Sequence, residues 1–217
     1  MQKPDSTTHT AHPPARVRGR PRAFDRDAAL DKATRLFWAK GYEATSIADL
    51  TEAMGIGSPS LYAAFGSKEA LYTEALHHYA ATNSHLVWGN FFAADTARAA
   101  VLALLMDSAA TLTGCVAANP RGCMLTLSSF DSEGHVELGK MVRAGRNVTY
   151  EQLRARFGQA VARGEIAASV DVDALARFMQ TVQYGMSILA RDGASRAELE
   201  TVAQVAMAAW DARTARP

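Results

Sequence analysis

The sequence predicts an all-α chain with a small three-helix unit at its N-terminal end and a larger helical unit after it. Three observations carry this. From Asp25 onward, apolar residues recur at helical spacing. No stretch sustains the period-two alternation of a half-buried strand. The seven prolines sit mostly in the first residues or at segment edges, where they interrupt no helix.

The elements follow in order. A first helix opens near Asp25, a good N-cap, and carries Ala29, Ala33, Leu36 and Phe37 on one face. It stops at Gly41, a typical C-terminal glycine. A second runs from the cap Thr45 through Ile47 and Leu50 to Met54, and Gly55 and Gly57 bracket a tight turn. The third is "SPSLYAAF". Ser58 caps it with Pro59 at the first helical position, or Gly57 is the cap. Gly66 ends it, and Ser67 caps a long fourth helix through Leu71, Ala75 and Tyr79. Asp95 to Thr113 reads as a helix and "GCVAANPRGC" as a loop. A short helix from about Met124 leads, after "FDSEG", into a long one ending at Gly164. Asp171 caps the next, with Leu175, Phe178, Met179, Val182, Met186 and Leu189 at near-helical spacing. "SRAE", Ser195 to Glu198, is a capping box opening a last helix with Leu199, Val202, Val205, Ala206 and Trp210 inward.

Composition bounds the class. The 217 residues are 48% hydrophobic and 21% charged, which supplies an ample core. A formal net charge of only +1 means that any nucleic-acid binding rests on a local patch. No apolar run approaches the roughly 20 residues needed to span a bilayer. The first residues, "MQKPDSTTHTAHPP", lack the apolar centre of a secretory signal. Two cysteines, Cys115 and Cys123, make no disulfide framework and fit a reducing cytoplasm. Residues 1–22 read as a disordered basic arm, 23–82 as one domain and 83–217 as a second, joined through the fourth helix without a flexible linker.

Two short helices joined by a glycine-bearing turn, residues 46–65, fit a helix-turn-helix, although the spacing alone fits an ordinary helical hairpin as well. The string itself says more. "GYEATSIADLTEAMGIGSPSLYAAFGSKEALYTEAL" resembles the N-terminal domain of the TetR/AcrR family of transcriptional regulators. Matching positions include Phe37, Gly41, Tyr42, Thr45, Ser46, Ile47, Leu50 and Gly55, then Leu61, Tyr62, Phe65, Ser67, Lys68, Glu69 and Leu71. They run without gaps across roughly residues 25–80. The C-terminal half is similar only in length, helix order and a strongly apolar final pair.

The resemblance implies a cytoplasmic, homodimeric repressor, neither enzyme nor cofactor protein, released from a near-palindromic operator by a small apolar effector. Thr45 and Ser46 would offer hydroxyls and backbone N–H groups to a phosphate. Tyr62 and Lys68 would reach further phosphates, and Ser58, Pro59 and Ser60 lie where the family reads bases. This recognition helix departs from the family in its short neutral side chains: from Ser46 to Lys68 the only ionised groups are Asp49, Glu52 and Lys68. It is poor in the Arg, Asn and Gln that make bidentate base contacts.

Ahead of it stands "RVRGRPRAF", with Arg16, Arg18, Arg20 and Arg22 on alternate residues. Alone it fits a linker, a nuclear signal or an AT-hook, and "GRPR" resembles the last. An AT-hook-like architectural DNA-binding protein is therefore a second function class. Before a helix-turn-helix, the stretch reads as an arm for the minor groove or the phosphates.

The last two helices are the expected dimer surface, through Phe178, Val182, Met186 and Leu189 on one and Val202, Val205 and Trp210 on the other. The middle helices carry large residues suited to an adaptable apolar pocket: Trp88, Phe92, Met106 and Met124, with Phe130, Met141, Tyr150 and Tyr184. For any one of them, plain core is the favoured reading. Cys123 follows Pro-Arg-Gly near a helix start, a setting that activates thiols, so a redox or electrophile switch stands beside the reading of an inert buried cysteine. No metal site is expected, since His78 and His85 stand two helical turns, about 10 Å, apart. No GxSxG, P-loop, Rossmann glycine pattern or zinc spacing supports an enzyme.

Overall fold

The computed structural model describes residues 25–116, 118–130 and 133–215. The arm arginines Arg16, Arg18, Arg20 and Arg22 lie outside them. Among the described residues every regular element is helical: α1 Arg26–Lys40, α2 Ile47–Met54, α3 Ser58–Phe65, α4 Lys68–Ala93, α5 Ala97–Leu112, α6 Met124–Leu127, a 3-10 turn Glu133–His135, α7 Val136–Ala162, α8 Val172–Arg191 and α9 Arg196–Thr214.

The helix starts follow side-chain chemistry. Asp25, Ser67, Thr96 and Asp171 each accept the backbone N–H three residues on. Ser195 and Glu198 close the capping box expected for α9. The cap of α2 is a correction: it is Ser46, not Thr45. The Thr45 side chain is fully buried and its hydroxyl donates to the Gly41 carbonyl at 2.6 Å. Ser46 is left to form a reciprocal capping box with Asp49. At α3 the choice between Ser58 and Gly57 falls on Gly57, with no side-chain bond at all. Gly55 closes α2 at φ +71, a left-handed turn that a side chain would strain and that swings the chain into α3.

Two apolar cores result. One joins α1, α2, α3 and the first half of α4, and α6 and the first turns of α7 complete it through Met124, Leu138 and Val142. The other fills the space between the end of α4, α5, α7, α8 and α9. Helix α4 runs through both.

Helix α1 explains how the two are joined. Its buried residues form two rows rather than the single face expected. Ala29, Ala33 and Phe37 pack into the first core. Leu30, Thr34 and Trp38, spaced i, i+4, i+8, form the second row. Trp38 ends it, edge-on to Tyr79 of α4 at 4.7 Å, with its indole N–H donating to the Gly122 carbonyl at 2.8 Å.

Candidate DNA-binding surface and effector cavity

Helices α2 and α3 form the helix-turn-helix. Leu61 and Phe65 bury one face of α3 in the first core, which leaves Ser58, Pro59, Ser60 and Tyr62 exposed together on the other. The mount of this surface is polar. Arg26 lies over the Phe65 ring at 4.5 Å, pairs with Glu74 at 2.7 Å and reaches the Ala64 carbonyl at 3.3 Å, tying α1, α3 and α4 together. Lys40 pairs with Asp49 at 2.8 Å, tying α1 to α2. That ammonium, with the Ser46 N–H and hydroxyl, holds the Asp49 carboxyl well below the usual carboxylate range.

Ser46 is exposed at the start of α2, as a phosphate contact requires. Thr45 is not: its hydroxyl and N–H are both spent inside the chain, on Gly41 and Tyr42. Lys68 stands in the first turn of α4 with its ammonium 4.2 Å from the centre of the Tyr42 ring, so it is held in place rather than swinging free. Burial, and then Glu69 and Glu43, push the Tyr42 phenol up to about 12, so that ring stays neutral under the cation.

A cavity of about 210 Å³ lies where the two cores meet. Its walls come from α1, α4, α5, the 118–123 loop, α6, α7 and α8. Of the eight residues expected to line a pocket, Trp88 and Tyr184 do. The other six are placed elsewhere. Met124 is buried in the first core, where Phe130 and Met141 pack against it. Met106 packs against the second core. Phe92 is 60% exposed at the end of α4. Tyr150 stacks under Arg177 and donates to Asp173 at 3.0 Å. Sequence reasoning missed Trp38, Asn83 and Thr111, all of which line the cavity. Only the second row on α1 hinted at any of them.

Cys123 also lines the cavity. Burial, and then the neighbouring Cys123, push the Tyr79 phenol well above its ordinary range. The cation expected to activate that thiol is engaged elsewhere: Arg121 donates to the Ala190 and Ala194 carbonyls at the end of α8. Both cysteines are free.

The loop before Cys123 is clamped from two sides. Arg191, at the end of α8, donates to the Trp38 carbonyl at 2.7 Å, the Ala39 carbonyl at 2.8 Å and the Arg121 carbonyl at 2.8 Å. Arg35 of α1 donates to the Ala118 carbonyl at 2.6 Å and to Asn119 at 3.1 Å, and Asn119 donates to Asn83 of α4 at 3.0 Å. Gly122 has to be glycine. Its φ is +79, and a Cβ there would stand 2.9 Å from the Ser187 carbonyl oxygen.

The expected dimer face divides. Met186 and Trp210 are corrections: both are buried in the chain's own second core, Trp210 edge-on to Phe157 at 4.9 Å. Val182 and Val202 are half-buried against that core. Phe178, Leu189 and Val205 are exposed, Val205 by 68%, and Ile188, which the spacing did not single out, joins them. No helix among the described residues is long and apolar enough to cross a membrane.

A three-helix head with an exposed recognition helix, on a helical body holding a ligand-sized cavity, defines a helix-turn-helix regulator. Residues 29–75 match the profile of the bacterial regulatory proteins of the tetR family. Over 199 residues the chain is 40% identical to the HTH-type transcriptional repressor ComR of Escherichia coli K12, covering 89% of this chain and 92% of that one. It is 31% identical over 198 residues to the repressor BdcR of the same organism, covering 88% and 92%. Among solved structures it is similar to a cysteine mutant of the TetR family regulator CifR complexed with a 26 bp double-strand operator DNA, with a TM-score of 0.83, 40% identity, and 88% of this chain and 100% of that one covered. The chain belongs to the TetR family of transcriptional regulators.

Proposed function

We propose that this protein is a cytoplasmic homodimeric repressor that leaves a near-palindromic operator when a small molecule fills the cavity. One observation carries the reading: Trp38 of the helix-turn-helix head is part of the cavity wall. A ligand there touches α1 directly and bears on the loop and the Arg191 clamp that hold the head to the body. Its binding energy can then favour one head orientation over another, as a population shift requires.

In this reading Ser46, Tyr62 and Lys68 take phosphates, and Ser58, Pro59 and Ser60 face base edges. A single recognition helix reads few base pairs, so two are needed one helical turn apart. The exposed Phe178, Ile188, Leu189 and Val205 supply the self-complementary apolar face that pairs them. The names of ComR and BdcR as repressors, and the operator complex of CifR, support the same conclusion.

Selection from a random duplex pool, followed by band-shift titration, tests it. The expected result is a short near-palindrome bound by two protomers. Binding that follows A·T content alone would remove the reading in favour of an architectural protein.

A further inference from the structure

The turn that opens α7 brings one side chain of the body onto the head, at the ring that carries Lys68. His135 ends the 3-10 turn Glu133–His135 and is the residue before α7. Its Nδ1 stands 2.5 Å from the carboxylate of Glu69, in the first turn of α4. Its Nε2 stands 3.5 Å from the carboxylate of Glu43, in the turn between α1 and α2. The imidazole lies edge-on to Tyr42 at 4.9 Å, with the Phe130 ring at 6.1 Å. Leu138 and Val142, from the first turns of α7, are buried in the head's core and anchor this helix start. Tyr42 is also the ring that holds the Lys68 ammonium at 4.2 Å. The body's imidazole and the head's lysine thus share one aromatic ring.

The two carboxylates select one form of the imidazole. An ionised carboxylate only accepts hydrogen bonds. A neutral imidazole donates from one nitrogen and turns a lone pair outward from the other, so between two carboxylates it leaves one contact repulsive. Only the imidazolium offers a proton to both.

Charge argues the same way. Without that proton, Glu43 and Glu69 set two negative charges against the single positive charge of Lys68. Glu69, in the first turn of α4, also competes with an incoming phosphate for the positive end of that helix. The imidazolium brings the four groups to neutrality. The remaining groups around the ring hold their charge near neutral pH. The Tyr42 phenol is pushed up to about 12, and on α7 Glu137 and Lys140 pair with each other at 2.8 Å. Glu133 shares the turn with His135.

We propose that His135 is a positioning residue for operator binding: as an imidazolium it bridges Glu43 and Glu69, fixes the body to the head beside Lys68, and screens both carboxylates from the approaching phosphate. Operator affinity therefore falls as the ring loses its proton. The proposal rests on the repressor reading above, in which Lys68 meets a phosphate, and adds a residue of the body to the DNA-binding machinery.

The test compares wild type with His135→Gln, as full-length proteins at constant ionic strength, between about pH 5.5 and about pH 8.5. Carboxylates stay ionised across this range, and the other histidines are common to both proteins, so the difference isolates His135. Without DNA, His135→Gln should lower the urea midpoint at the acid end and match wild type at the alkaline end. The sign follows from the bridge needing the charged ring: its contribution is full below about pH 6.5, the ordinary imidazole value, and is lost as pH rises past it. With the selected operator, wild-type affinity should fall by about two- to threefold per protomer across the range, roughly what one unit charge exerts over a Debye length of water. Two half-sites make that about four- to ninefold for a dimer. His135→Gln should bind throughout as alkaline wild type does. Glu69→Gln should bind more tightly than wild type at the alkaline end. A ring that merely packs on Tyr42 would lower the midpoint equally at every pH. That result, parallel affinity profiles in wild type and His135→Gln, or Glu69→Gln no tighter than wild type at the alkaline end, each overturns the proposal. A pool that yields no near-palindrome removes the repressor reading and with it the operator half of the proposal, while the DNA-free midpoints still confirm or overturn the bridge.

Discussion

At the scale of single residues, the turn into α2 shows how local chemistry sets the head. Thr45 and Ser46 are adjacent hydroxyl residues, and either suits an N-cap by type. Burial decides between them, because Thr45 faces inward and closes on the Gly41 carbonyl. Ser46→Ala should cost about 1 kcal/mol of stability in urea titration. It should also weaken operator binding by taking away an exposed hydroxyl. The Asp49 side of the box carries a pH signature. Its folded-state pKa is depressed by Lys40 and Ser46, so its contribution is present above the unfolded carboxyl range, about 4, and is lost as pH falls through the folded value. Asp173, Glu198 and Asp211 are depressed as well, by Arg154, by the Ser195 N–H and by Arg98 respectively. The urea midpoint should therefore drop steadily below about pH 4. In Asp49→Asn it should start lower and fall less steeply. Parallel acid limbs in the two proteins would show that the box adds nothing.

At the scale of elements, the helices were legible where side chains cap them, as Asp25, Ser67, Asp171 and Ser195 do. What an apolar face packs against was less so. The same spacing that put Met186 beside Leu189 on α8 left one in the chain's own core and the other on its surface. Composition misled more at the pocket. Large aromatics and methionines fill cores as readily as they line cavities, and Met124 and Phe130 went to the core side. The cavity instead draws small polar residues from several helices, an assembly that exists only after packing. Helix α1 is the instructive case, since its second row ends on Trp38 at both the loop and the cavity. Trp38→Phe keeps an aromatic ring and deletes the N–H bonded to Gly122. The drop in operator affinity on adding ligand should shrink by about three- to tenfold, as one hydrogen bond allows. Ligand affinity itself should change much less. Arg191→Gln, which loosens the same joint from α8, should do likewise. A ligand-induced drop equal to wild type in both variants would place the coupling elsewhere, along α4.

At the scale of the whole molecule, two features act only when protomers and DNA come together. The first is the exposed apolar strip of α8 and α9. Leu189→Glu puts a charge in the centre of a face that would be buried in a dimer. By sedimentation it should yield monomers with unchanged helix content, and operator binding should fall with it. The second is charge. The chain totals +1, and Arg16, Arg18, Arg20 and Arg22 supply four of its 23 basic groups. Without them 19 basic side chains would face 22 acidic ones, a net of −3. A chain so balanced has little long-range attraction for DNA, and its recognition surface of Ser58, Pro59, Ser60 and Tyr62 is uncharged. In the proposed reading, most of the phosphate neutralisation therefore falls to Lys68 and the arm. Each arginine that displaces a condensed counterion adds about 0.9 to the slope of log affinity against log salt. Replacing all four with Ala should weaken operator binding and flatten that slope by up to about 0.9 per lost contact per subunit. The preferred base sequence should stay the same, because Ser58, Pro59 and Ser60, which face base edges in the proposed reading, are unchanged. A slope equal to wild type would show that the arm touches no phosphate, and a head with more acidic than basic side chains would then have to bind by shape and hydrogen bonding alone.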